Sequence, residues 1–139
     1  MTSPLDNLAR SGQLHHEPTD SDEFFGLLHS GRVRLQDAGK VALSVESRFD
    51  LAYNAAHALC LAALRRSGFR STNRYLVFQT LPHTLGLGPE VWRVLAKAHE
   101  VRNRGEYEGD LNVDERLVAD LIEACTNVLT ALNALPPPR

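Results

Sequence analysis

The stretch Val45–Ser67, VESRFDLAYNAAHALCLAALRRS, decides the fold. Its apolar residues recur at intervals of three and four, which is typical of one broad face of an amphipathic helix. Gly68 follows, and glycine is the residue that most often ends a helix in the left-handed conformation. The many alanines allow a neighbouring helix to approach closely. We therefore predict a long core helix here, and we expect its alanine-rich face to pack against a partner helix, including one from a second copy of the chain.

The flanking sequence predicts further helices of the same kind. Thr19 or Ser21 can cap the first, and Asp22 and Glu23 suit a helix N-terminus through the macrodipole. Gly31 and Gly39 weaken that helix locally or permit close packing. The predicted ranges are 19–43, 45–67, 75–87 with a break at Pro82, 89–105 and 112–132.

Capping signals support the last two helices. Pro89 stands at a first helical position, where its lack of an N–H costs nothing. Asn112 is followed three residues later by Glu115, the spacing of a capping box, and Pro136 ends the final helix. Helices joined by short loops predict an all-α fold, an antiparallel up-down bundle of four to five helices.

The length of 139 residues suits one hydrophobic core. Residues 1–20 are polar, contain Pro4 and Pro18 and lack an apolar period, so we expect a flexible leader. Residues 21–135 form the single predicted domain, and residues 136–139 form a proline-rich tail.

Composition excludes several classes. The formal net charge of −2 argues against a protein that coats nucleic acid by bulk attraction. Cys60 and Cys125 lie in apolar helical stretches and are predicted to be buried thiols. No CxxC or Cys/His spacing indicates a metal, and no cofactor is expected. We also see no signal peptide and no apolar run near the ~20 residues that cross a bilayer. The sequence therefore predicts a cytoplasmic protein without a membrane partner.

Two polar groups of residues stand out along the predicted helices. Asp50, Asn54 and His57 form a stripe at spacings of four and three, either part of a polar pocket or a surface that faces solvent or a dimer partner. Arginines also cluster where the core helix ends, where they complement the helix C-terminus or hold RNA backbone. These are Arg65, Arg66, Arg70 and Arg74.

Two stretches and a helix order carry a family resemblance. RFDLAYNAAH at 48–57 resembles the second helix of small bacterial HEPN proteins, and AHEVRNRGEY at 98–107 resembles the end of their fourth helix. The capped helix 112–132 is similar to their last, so the resemblance covers roughly residues 22–132. It implies a bundle that commonly dimerises. It also implies a place in a toxin–antitoxin or stress-response system, with a partner such as a nucleotidyltransferase-type antitoxin.

The hallmark of that family is an Arg, often followed by a polar residue, with a His four to six residues beyond. Arg102-Asn103 matches its first half, and Tyr107 stands where the His is expected. Some HEPN subfamilies have an acidic residue and a Tyr there, as Glu106 and Tyr107 stand here. Because a tyrosine titrates near 10, it is a poor base at neutral pH. The resemblance therefore implies a module that binds nucleotide or RNA without the usual ribonuclease activity.

Arg102, Asn103 and Tyr107 offer a forked donor, an amide and a stacking face for such a ligand. Further candidate binding residues are Asp50, Asn54, His57 and His99. His57 could replace the motif His, and His99 could reach the same cleft or pack beside Trp92.

Alternatives remain open at this stage. Arg102 could instead pair with Glu106 at a spacing of four and close the helix end. The chain could be an active, metal-independent ribonuclease with a modified site. It could also be a structural dimeric module that acts through protein contacts alone.

Overall fold

The computed structural model describes residues 3–109 and 112–138. Within these ranges the chain forms seven helices and one two-stranded antiparallel sheet. The elements are α1 (Pro4–Arg10), β1 (His15–His16), α2 (Ser21–Ala38), α3 (Val45–Arg66), β2 (Phe69–Arg70), α4 (Arg74–Gln79), α5 (Leu81–Thr84), α6 (Pro89–Glu108) and α7 (Glu115–Ala134). The predicted all-α helical bundle is confirmed.

The centre of the bundle is α3, as the alanine-rich stretch predicts. α2 and α7 pack against it, and α4 and α6 contact it at its other side. Phe49, Tyr53 and Leu59 are buried at its core. Its alanines are covered within the same chain, so the alanine-rich face is not a surface left for a second copy. Cys60 and Cys125 are buried free thiols, as predicted.

The approach of α2 to α3 depends on Gly31. A Cβ atom at this position would lie 2.5 Å from Leu59 Cδ2 and 2.6 Å from Leu59 Cγ. Gly31 is buried and Leu59 is fully enclosed, so glycine lets the two backbones pack closely. The expectation of close packing is thus confirmed at Gly31, whereas Gly39 serves as the C-cap of α2.

Four predicted helix boundaries are wrong. The N-cap of α2 is Asp20 rather than Thr19 or Ser21, and its side chain accepts from the N–H groups of Asp22 and Glu23. α2 stops at Ala38 rather than near Leu43, and Val41 beyond it is 85% exposed. α6 continues past the predicted end at 104–105 to Glu108, because Gly109 with φ +70° supplies the left-handed cap. α7 is capped by Asp114, not Asn112, and the Asp114 side chain accepts a hydrogen bond from the N–H of Leu117 at 2.8 Å. The predicted break before Pro82 is confirmed, since α4 ends at Gln79 and α5 begins at Leu81.

The prediction of a flexible leader is also wrong for the N-terminal segment, defined here as residues 3–20. It contains α1, and β1 pairs with β2 in the register His15 to Arg70 and His16 to Phe69. Leu5 and Leu14 are buried in the common core. The strand pairing and the burial of these leucines join segments that are far apart in the chain, so the local apolar period of the sequence does not indicate them.

The arginine cluster explains how the N-terminal segment is attached. The side chain of Arg65 is 1% exposed and donates to Glu23 Oε1 at 2.5 Å. It also donates to the carbonyl oxygens of Glu17 at 2.9 Å and Pro18 at 2.6 Å. Arg70 pairs with both Glu17 and Glu23. Arg65 and Arg70 are therefore engaged in internal ion pairs rather than presented to RNA.

α7 is the one helix in the described part of the chain that could cross a membrane by length and composition, with a mean hydropathy of 1.2. Polar residues such as Asp120, Glu123 and Asn127 interrupt its apolar sequence. Its buried residues, among them Leu121, Cys125 and Val128, belong to the core that it shares with α3. Of the apolar window, 39% is buried in this core.

Candidate functional site

A hydrogen-bonded chain of three side chains joins α3 to α6. Tyr53 Oη lies 2.9 Å from His99 Nδ1, and Asn103 Nδ2 lies 3.1 Å from His99 Nε2. Asn103 follows His99 by one helical turn, so the amide and the imidazole share one side of α6. With the amide nitrogen facing Nε2, that ring nitrogen is the acceptor, and Nδ1–H donates to Tyr53. The arrangement holds His99 as a neutral imidazole.

Two guanidinium groups flank this chain. Arg102 Cζ lies 5.1 Å from the centroid of the Tyr53 ring, and Arg74 Cζ lies 5.7 Å from it. Arg102 pairs with Glu106 Oε2 at 3.2 Å, as the spacing of four allowed. Arg74 donates to Asn54 Oδ1 at 3.3 Å. The cations thus surround a buried aromatic ring, where cation–π contact is favourable.

Burial and positive charge shift the titration of the neighbouring groups. Burial, followed by the charges of Arg102 and Arg74, lowers the pKa of His99. Burial, with Arg74 and Arg102 adding to it, lowers the pKa of His57 to about 4. Burial raises the pKa of Tyr53, although the two arginines oppose this. At neutral pH both imidazoles are therefore uncharged, and the local potential is positive.

His99 and Asn103 also line an open cavity of about 620 Å³, here named the α4–α6 cavity. Tyr75 of α4 contributes an aromatic face, 39% exposed, whose ring centroid lies 5.6 Å from that of His99. Arg93 and Lys97, one turn apart on α6, are exposed at its edge. The complete lining is Tyr75, Arg93, Ala96, Lys97, His99, Glu100 and Asn103.

Arg102 lies on the other side of His99. Successive residues on a helix are turned by about 100°, so Arg102 and Asn103 point in different directions. Arg102 lines a separate cavity of about 260 Å³ with Asp50, Gly105 and Glu106. Tyr107 is 80% exposed and lines neither cavity. The structure thus brings His99 together with Asn103, and Asp50 with Arg102, and leaves Tyr107 apart.

The three polar residues of the α3 stripe do not share one environment. Asp50 and Asn54 are exposed, and Asn54 Nδ2 donates to the backbone oxygen of Asp50 at 2.8 Å. His57 is half-buried and meets the ring of Phe78 edge-on, with centroids 6.4 Å apart. His57 therefore belongs to the packing beneath the site, whereas Asp50 and Asn54 face outwards near the arginines.

Sequence reasoning missed four of the residues that build the site: Tyr53, Tyr75, Arg93 and Lys97. The ring of Tyr53 lies on the apolar face of α3 and is 1% exposed. A buried tyrosine usually finds a partner for its hydroxyl, and this rule is the signal that pointed to a polar neighbour. Arg93 and Lys97 are separated by one helical turn, a spacing that places two cations together.

Among residues 3–109 and 112–138, no group of three or more His, Cys, Asp or Glu side chains is arranged to hold a metal ion. The chemistry of the site is that of arginine, lysine, amide, imidazole and phenol groups. Such groups suit an anion that carries a planar ring.

Comparisons with protein-family models, with characterised proteins and with solved structures produced no match for this chain. The resemblance to HEPN proteins therefore stays a prediction from the sequence. The site has to be interpreted from its own geometry.

Proposed function

We propose that the chain binds a nucleotide or RNA in the α4–α6 cavity. The observation that carries this proposal is the composition of one concave surface. Two exposed cations, an exposed tyrosine ring and a hydrogen-bonded His–Asn pair line a cavity of about 620 Å³. Pockets with a few convergent polar groups and shifted titration are the usual places for ligands.

The phosphate is assigned to Arg93 and Lys97. Among residues 3–109 and 112–138, the ion pairs of α6 join Arg102 to Glu106 and Arg104 to Glu100, and neither involves these two residues. Arginine offers a planar fork that matches a phosphate, and lysine adds a compact charge. Glu100 lines the same cavity and opposes an anion, but its carboxylate is paired with Arg104 at 2.8 Å. The cavity therefore favours an anion although the whole chain is slightly acidic.

The base is assigned to the ring of Tyr75. Its exposed face supplies the stacking surface that nucleic-acid bases find on aromatic side chains, about 1–3 kcal/mol per base. His99 and Asn103 stand at the floor of the cavity, where the imidazole is held neutral and the amide can hydrogen-bond a ligand. The nucleotide is then recognised by the residues of this cavity and not by the net charge of the chain.

The resemblance to HEPN proteins adds a biological setting to this proposal. It suggests a cytoplasmic homodimer within a toxin–antitoxin or stress-response system, with a nucleotidyltransferase-type protein as partner. Tyr107 at the position of the motif His agrees with binding in the absence of the usual nuclease chemistry. Of the other candidate contacts, Arg102 and Asp50 serve the smaller neighbouring cavity that they line, whereas Asn54 lies outside both cavities and holds Arg74.

The test is binding of mononucleotides by calorimetry and of labelled single-stranded RNA by fluorescence anisotropy. Lys97→Ala and Arg93→Ala should each weaken binding roughly five- to ten-fold, because each removes a charge-assisted contact. Lys40→Ala is the matched control. Lys40 is exposed in the loop that follows α2, does not line the α4–α6 cavity and pairs with Asp37. Unchanged affinity in both α6 variants would remove the proposal, and absence of any binding would favour a module that acts through protein contacts.

A second candidate, a metal-independent ribonuclease, is favoured by one observation. His99 has a lowered pKa, is neutral at pH 7 and lies on the cavity wall, so its Nε2 can accept a proton once the Asn103 amide that contacts this nitrogen turns towards the substrate. Purified protein should then cleave structured RNA, and His99→Ala and Arg102→Ala should abolish this activity. If the native chain cleaves RNA no faster than these two variants do, the ribonuclease function is excluded. A gain of cleavage in Tyr107→His would instead indicate a HEPN-type site that lacks its base.

A further inference from the structure

A second cavity, of about 330 Å³, lies between the N-terminal segment and α4, and is named here the N-terminal cavity. Tyr75 lines both this cavity and the α4–α6 cavity, so the two adjoin at its ring. The other lining residues are Gly12, Gln13, His15, Ser71, Thr72, Asn73, Leu76 and Gln79. No Arg, Lys, Asp or Glu is among them, in contrast to the cation-lined neighbour.

Three amide side chains give the N-terminal cavity its chemistry. Gln13 Nε2 donates to Ser11 Oγ at 3.0 Å, which leaves its Oε1 as an acceptor. Asn73 Oδ1 accepts from the N–H of Leu76 at 3.0 Å, which leaves its Nδ2 as a donor. Gln79 is exposed at the end of α4 and offers both kinds of group. Planar amides with mixed donors and acceptors match the edge of a nucleic-acid base.

We propose that the N-terminal cavity is a base-recognition subsite, an inference that rests on the proposed function. The phosphate lies between Arg93 and Lys97, the base stacks on Tyr75, and its hydrogen-bonding edge reaches Gln13, Asn73 and Gln79. The shared tyrosine makes this division of one ligand between two cavities possible. In this arrangement the cation-lined α4–α6 cavity supplies most of the affinity, and the N-terminal cavity supplies the preference for one base.

The wall supplied by the N-terminal segment is held rigidly. Leu14, next to Gln13, is 1% exposed, and β1 pairs with β2 one residue further on. Glu17 N–H donates to the Gly68 carbonyl at 3.0 Å, and Arg65 donates to the Glu17 carbonyl at 2.9 Å. Because these contacts are formed within the chain, the backbone that carries Gln13 is placed before a ligand arrives. Preorganisation of this kind lowers the entropic cost of binding.

The test compares ribose 5-phosphate with the four nucleoside monophosphates by calorimetry on the full chain. We expect the nucleotides to bind more tightly than ribose 5-phosphate, and one base to exceed the others by about five-fold, the effect of one hydrogen bond. Gln79→Ala and Gln13→Ala should each reduce this preference and leave the affinity for ribose 5-phosphate unchanged. Gln36→Ala, at an exposed glutamine of α2, is the matched control.

The outcomes separate this inference from the proposed function. Equal binding of all five compounds, weakened by Lys97→Ala, would overturn the base subsite and leave the phosphate site standing. A base preference that persists in both glutamine variants would also overturn it. Absence of binding by every compound and by single-stranded RNA would overturn both proposals together.

Discussion

Tyr53 Oη and His99 Nδ1 lie 2.9 Å apart, and this hydrogen bond joins residues 46 positions apart in the chain. Tyr53 is 1% exposed, and His99 lines the α4–α6 cavity, so the bond connects the core of the bundle to its candidate ligand site. A buried phenol needs a partner, and the imidazole supplies one. The imidazole in turn is held between this phenol and the Asn103 amide, at the wall of the cavity.

The titration of His99 tests the electrostatics of the site. In the native chain its pKa should lie below 6.5, because burial and the charges of Arg102 and Arg74 disfavour the imidazolium. Arg102→Ala removes one of these charges and should raise the His99 pKa. The measurement is an NMR titration of the histidine ring carbons.

Arg104→Ala is the control for this titration, since Arg104 lies on another side of α6 and pairs with Glu100. It should change the His99 pKa less than Arg102→Ala does. A larger effect from Arg104 would show that the field at His99 has a different source.

His57 makes the stability of the fold depend on pH. Its pKa is about 4 in the folded chain against 6.5 without the fold, so the unfolded chain binds the extra proton between these values. Stability is therefore complete above pH 6.5 and falls as the pH decreases from 6.5 to 4. After allowance for the partial exposure of the ring, we expect a loss of about 2 kcal/mol. Urea unfolding at a series of pH values measures it.

His57→Leu should remove most of this decline, because the leucine carries no proton to exchange. His29→Leu, at an exposed position of α2, is the matched control and should retain it. Parallel pH profiles for the native chain and His57→Leu would contradict the assignment to His57. The lowered pKa of Glu23, which arises first from its hydrogen bond with Arg65, affects stability only at more acidic pH.

Gly31→Ala should destabilise the bundle. The new Cβ would meet Leu59 Cδ2 at 2.5 Å, and Leu59 is fully buried and has little room to move. We expect a loss of roughly 1–3 kcal/mol from overpacking, even though alanine favours a helix. Gly26→Ala on the same helix meets nothing within 4 Å and should stabilise it by up to about 1 kcal/mol. Chemical denaturation of both variants gives the comparison, and effects of the same sign would contradict the packing argument.

Arg65→Met should cost about 2–3 kcal/mol, because the carbonyl oxygens of Glu17, Pro18 and Phe69 lose their donor, while Glu17 and Glu23 keep Arg70 as an ion-pair partner. The N-terminal segment should also open, since Arg65 binds the carbonyl oxygens of Glu17 and Pro18. Arg66→Met is the matched control: within the described part of the chain its guanidinium donates to the Pro136 carbonyl alone, and we expect a loss of about 1 kcal/mol. Unfolding measurements and amide exchange of β1 report the two effects, and equal losses in the two variants would argue against the network.

Part of the site was accessible from sequence, since His99 and Asn103 at a spacing of four place an imidazole and an amide on one side of a helix. Helix geometry also turns Arg102 and Asn103 in different directions, although they are neighbours in the sequence motif. Tyr75 could not be joined to His99 in advance, because they lie on different helices. Their contact depends on how α4 packs against α6.

The sequence by itself determined the four long helices and the part of the core that they share, because apolar periodicity, Gly68 and Pro82 act through local backbone chemistry. Asn112 and Asp114 are equally good N-cap residues. In the structure Asp114 is the N-cap of α7, because its side chain is the one that accepts the hydrogen bond of the Leu117 N–H. Tertiary structure alone decided the burial of Leu5 and Leu14, the ion pairs of Arg65 and the partner of Tyr53. Each of these depends on groups far apart in the chain, and their free energy is gained only when the bundle brings them together.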